Sequence, residues 1–73
     1  MLLDVRSDIY SLGATLYHLF TGRRPAQDAK KVEPIGPDEL SPAVAAIIRK
    51  AMDPDPGRRW QTAQEMLQAF ERL

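Results

Sequence analysis

The side chains in this 73-residue chain that could do chemistry are few and scattered. There is one histidine, His18, and no cysteine, so no thiol nucleophile and no disulfide framework are available. His18 has no second ligand at metal spacing and reads as an ordinary surface histidine. Asp53 and Asp55 have the alternate spacing of a calcium loop. The prolines at 54 and 56 and the lack of later oxygen ligands make that stretch a helix stop instead. Ser7, Ser11 and Thr62 have no neighbouring base or oxyanion donor, so capping and surface roles account for them. The basic pairs Arg23-Arg24, Lys30-Lys31, Arg49-Lys50 and Arg58-Arg59 are interspersed with acids and read as solvated surface. No catalytic, cofactor-binding or metal-binding set is expected from these residues.

The elements that carry these side chains are helical. Residues 7–21 are apolar nearly all the way round: Ile9, Leu12, Leu16 and Leu19 share one face, and Tyr10, Ala14, Tyr17 and Phe20 extend apolar surface onto the others. A helix of that kind is expected to be buried on every side. Asp4 or Ser7 can cap it and Asp8 suits its first turn. Gly22 can close it in the left-handed conformation, with Pro25 beyond. Gly13 in its middle marks a close approach by another segment.

A second helix over 42–53 has Ser41 as cap, Pro42 at its first position and Val44, Ile47, Ile48, Ala51 and Met52 on one side. A third, over 62–72, opens with Thr62-Ala-Gln-Glu65, a capping box, and is expected to bury Ala63, Met66, Leu67, Phe70 and Leu73. Trp60 is placed to cover the junction between them. Residues 23–38 hold Pro25, Pro34, Gly36 and Pro37 and form a surface connection with at most one helical turn near 26–31. The fold class is all-α, a single three-helix domain near the size limit at which a core alone holds a fold.

Ten basic and ten acidic side chains cancel, so neither nucleic acid nor an anionic membrane is the expected partner. The last helix offers Gln64, Gln68 and Arg72 but also Glu65 and Glu71, which weighs against a DNA-reading helix. Without a membrane-length apolar run or a leader-like N-terminus, a cytoplasmic location is expected.

Two stretches together carry a resemblance. Asp4-Val-Arg-Ser-Asp-Ile-Tyr-Ser-Leu-Gly-Ala-Thr-Leu-Tyr, followed by Leu19-Phe-Thr-Gly-Arg-Arg-Pro, resembles the central F helix of the large lobe of a eukaryotic-type serine/threonine protein kinase. Ile47-Ile-Arg-Lys-Ala-Met-Asp-Pro-Asp-Pro-Gly-Arg-Arg-Trp-Gln-Thr-Ala-Gln-Glu-Met resembles the closing segment of the same lobe. The connection between them looks too short for the helix that many family members carry there.

The resemblance implies a scaffolding role in a parent kinase. Asp8 matches the aspartate whose carboxylate accepts hydrogen bonds from catalytic-loop amides. Arg59 matches the arginine that pairs with the glutamate of the Ala-Pro-Glu segment. The glycine-rich loop, strand lysine, catalytic aspartate and metal-binding aspartate are absent from this sequence, so MgATP is expected only for the parent and phosphoryl transfer is not expected of this chain. The partner implied is the rest of the kinase domain. With that partner missing, Asp55 is the candidate partner for Arg59, whose removal should change stability little. Tyr10, Tyr17 and Phe20 should face water and drive self-association as a dimer. The alternative to a kinase fragment is a stand-alone three-helix interaction module derived from one.

Overall fold

Gly13 is where the architecture is fixed. A Cβ built there would stand 2.8 Å from Ala51 Cβ and 2.9 Å from Met52 Cγ, so the backbones of the first and second helices meet at a point only glycine can occupy. The computed structural model describes residues 5–73. In it α1 runs Val5–Thr21, α2 Pro42–Ala51 and α3 Ala63–Glu71, with single turns of 3₁₀ helix at Ala29–Lys31 and Pro56–Arg58 and no strand among the described residues. The chain is all-α.

Each helix ends where its local chemistry dictates. Gly22 closes α1 at φ +73°, and its amide donates to the His18 carbonyl at 2.8 Å. Ser41 caps α2 by accepting the Val44 amide, with Pro42 in the first turn. Thr62 Oγ1 accepts the Glu65 amide while Glu65 Oε1 accepts the Thr62 amide, both at 3.1 Å, which is the reciprocal capping box. The expected turn between α1 and α2 is the 3₁₀ turn capped by Asp28. Of the two caps expected for α1, Ser7 lies inside the helix and Asp4 lies outside the described residues.

Helix α2 separates two small cores. On one side Ile47 and Ala51 pack with Ile9 and Met66, flanked by Leu16, Trp60, Ala69 and Phe70. On the other, Ile48 and Met52 pack with Tyr17, flanked by Val32, Ile35, Leu40 and Val44. Trp60 covers the α2–α3 junction, its indole Nε1 donating to the Ile47 carbonyl at 3.0 Å and the Lys50 Nζ lying 4.0 Å from its ring centre.

Two expectations about burial are corrected. Helix α1 is buried along one face only, through Ile9, Gly13 and Tyr17. The molecule measures 18 Å along its shortest axis, less than two helix diameters, so nothing is left to cover the other faces. On α3 only Met66 is fully buried, with Ala69 and Phe70 partly so. Ala63, Leu67 and Leu73 are exposed, because that helix meets the rest of the fold along a narrow strip.

Candidate functional site

The residues singled out in the sequence fall in two places. At the N-terminal end of α1, Asp8 lies exposed in the first turn, where the free amides of a helix start favour an acid. Two residues on, the half-buried Tyr10 ring supports the Arg59 guanidinium, whose carbon lies 4.7 Å from the ring centre. Arg59 Nε donates to the Asp53 carbonyl at 2.7 Å and Nη1 to the Arg6 carbonyl at 3.3 Å. Two backbone carbonyls and an aromatic face therefore hold this cation, and among the described residues no carboxylate pairs with it.

That arrangement corrects the expectation of an Asp55 partner. Asp55 Oδ1 instead accepts the Gly57 amide at 2.9 Å, and Asp53 Oδ1 accepts the Asp55 amide at 2.9 Å. Both side chains brace the turn after α2. It also raises the expected cost of removing the arginine. Arg59→Ala should cost about 2 kcal/mol in a urea melt, since it deletes two charge-assisted hydrogen bonds and a cation–π contact. Arg59→Lys should recover less than half of that, because an ammonium cannot span both carbonyls while lying on the ring.

The second place is the C-terminal end of α1. Tyr17, expected to face water, is 3% exposed. Its hydroxyl donates to the Glu33 carbonyl at 2.8 Å, which draws the proline-bearing connection across the ring. Arg23 holds the same connection, its Nη1 meeting Glu33 Oε2 and its Nη2 meeting Glu39 Oε2, each at 2.8 Å, with its guanidinium 5.6 Å from the Tyr17 ring centre. Nothing in helical periodicity marks Tyr17 as the aromatic that the connection would cover.

Tyr10 also departs from the expected exposure. It is half-buried beneath Arg59, and its hydroxyl is shielded without a hydrogen-bond partner among the described residues. Phe20 does face solvent, at 47%. The apolar surface of α1 that is open to water is instead led by Val5, Leu12 and Leu19, spaced seven residues apart along one edge. Leu19 is 71% exposed. Leu67 and Leu73 add exposed apolar surface at the other end of the chain.

His18 is exposed on α1, and no group of three metal-ligating side chains occurs among the described residues. Ser11 and Thr15 hydroxyls donate back to the Ser7 and Ser11 carbonyls of their own helix. No described helix is long and apolar enough to cross a membrane. A groove of about 640 Å³ lies between α2 and the connection, floored by Tyr17, Ile48 and Met52.

Comparison with known proteins gives a consistent answer. The chain is 35% identical to the serine/threonine-protein kinase PknB of Mycolicibacterium smegmatis over 77 aligned positions, which cover 88% of this chain and 12% of that protein. It is 39% identical to a probable serine/threonine-protein kinase of Streptomyces coelicolor, with 88% of this chain and 11% of that protein covered. A probable serine/threonine-protein kinase of Corynebacterium efficiens is 39% identical, with 96% and 13% covered. The chain thus spans about an eighth of the length of the curated relatives it matches. No family model matches the chain, and no solved structure matches it at a significant level. Similarity confined to so small a share of each relative is what a fragment of a kinase lobe gives, and it agrees with the resemblance to the C-terminal part of the large lobe.

Proposed function

We infer that this chain is the C-terminal helical part of the large lobe of a serine/threonine protein kinase, and that its work there is structural. In that reading α1 is the post on which the catalytic elements of the parent sit. Asp8 presents its carboxylate to amides of the catalytic loop. Arg59, already aligned by Tyr10 and two carbonyls, takes a carboxylate from a segment that this sequence does not contain. The parent binds MgATP and transfers phosphate, while this chain supplies no group to the reacting atoms.

The observation that carries the reading is the open apolar edge of α1. Val5, Leu12 and Leu19 are each about half exposed or more on the helix that is richest in apolar residues, a surface that an independent domain of this size would be expected to cover. The Tyr10 hydroxyl, shielded and without a partner among the described residues, points the same way, since such a phenol is costly unless a further segment supplies a partner.

A second reading is supported by the seven-residue spacing of that edge. It is the repeat of a helix–helix seam, and a stand-alone interaction module could use it to pair two copies. One experiment separates the two. The chain is co-expressed with a kinase catalytic region truncated before the corresponding segment. The expected result is a one-to-one complex that phosphorylates a generic substrate, with neither part active alone. A chain that remains a homodimer and never joins the truncated region would sink the scaffold reading and leave the interaction module.

A further inference from the structure

We propose that the groove between α2 and the connection before it binds a single-chain aliphatic carboxylate, a ligand of the fatty-acid class. Its volume of about 640 Å³ falls within the range of small-molecule sites. Tyr17, Val32, Ile35, Leu40, Ile48 and Met52 line it, mostly with branched or flexible aliphatic groups suited to a hydrocarbon chain rather than to a flat ring. This assignment is independent of any role in a parent kinase.

Charge selects the head group. Arg49 and Arg58 both line the groove, and neither has an ion-pair or hydrogen-bond partner for its guanidinium among the described residues. Of the two carboxylates at the same groove, Glu33 is paired with Arg23 at 2.8 Å, whereas Asp53 accepts the Asp55 amide at 2.9 Å and keeps its charge, which leaves two guanidinium groups against one carboxylate. The unspent charge at the mouth is therefore positive, and an anion is the complementary partner. The rim disfavours a peptide as the occupant. Pro34, Pro37, Pro42 and Pro54 contribute no amide N–H, so an extended chain would find few backbone donors there.

The test uses dodecanoate and dodecyltrimethylammonium, both below their micelle concentrations, titrated into the full chain while methyl resonances are followed by NMR. Saturable shifts centred on Ile35, Ile48 and Met52 are expected for dodecanoate, with the cationic analogue binding at least about threefold more weakly. Replacing both arginines, as Arg49→Ala with Arg58→Ala, should weaken dodecanoate about tenfold and leave the cationic analogue binding at least as tightly as before. Ala45→Phe, which fills the groove from its wall, should abolish saturable binding of both while the circular dichroism spectrum stays helical. Equal affinity for the two head groups, shifts centred on Leu12, Leu19 or Leu67 instead, or no saturation at all would each overturn the assignment.

Discussion

Gly13→Val is expected to leave the chain without a cooperative thermal transition. The added carbon would lie 2.8 Å from Ala51 Cβ and 2.9 Å from Met52 Cγ, and Ala51 is 0% exposed with its Cβ fixed directly to the α2 backbone. It cannot turn aside as the tip of a long side chain would. The two helices would have to separate, opening both cores at once, because α2 is shared between them. Overpacking of this kind costs about 1–3 kcal/mol where a core can adjust. The β-branched side chain adds two methyls at the tightest crossing, and a domain of this size holds only about 3–5 kcal/mol in total.

Gly13→Ala separates the steric term from helix propensity. Alanine should gain about 1 kcal/mol as a better helix former, so any net loss measured by circular dichroism understates the clash by about that amount. Adding Ala51→Gly should restore part of that loss, and the coupling read from the double-mutant cycle should be about 1 kcal/mol or more, favourable to the pair. Strict additivity of the two changes would mean that the helices do not cross at this point.

Ile48→Ala is expected to cost about 3–4 kcal/mol, again most of what the fold has. Ile48 is fully buried, packs with Tyr17 and Met52, and floors the groove beneath the connection. The void left behind cannot close by collapse from the α1 side, where Gly13 already brings the backbones together. It can be filled only by the connection sinking inward, which Tyr17 and Arg23 resist by holding Glu33 and Glu39 in place. Loss of the cooperative urea transition is the readout. A midpoint barely moved would show that the connection relaxes freely onto α2.

Local chemistry made much of this fold legible in advance. Ser41 with Pro42, Thr62 with Glu65, and Gly22 each act through residues within a few positions along the chain, so their types and spacing announce them. Gly13 was readable for a related reason: an interior glycine is costly in a helix unless something occupies the space it leaves. The stripe of α2 was equally clear, because its apolar residues fall on a single side.

What was hidden depended on partners distant in sequence or without a side-chain signature. Arg59 is held by the carbonyls of Asp53 and Arg6, and any residue type presents a carbonyl. Tyr17 is buried because Glu33 and Arg23 bring the connection over it, although its own helix is equally apolar on several faces. Leu67 and Leu73 looked like core residues by spacing, but spacing cannot say how wide a strip the neighbouring helix will cover.

The division of the core by α2 also sets an order of assembly. The half built on Tyr17, Ile48 and Met52 draws every member and flanking residue from positions 10–52, so it can form from one contiguous stretch. The half built on Ile9, Ile47, Ala51 and Met66 joins residues near both ends of the chain, and the Arg59–Arg6 hydrogen bond spans 53 positions. Closing that larger loop costs more chain entropy and is rewarded only when α3 arrives. Helix α3 should thus be the last element to dock during folding and the first to leave, with the stretch up to Met52 acting as the nucleus onto which it closes.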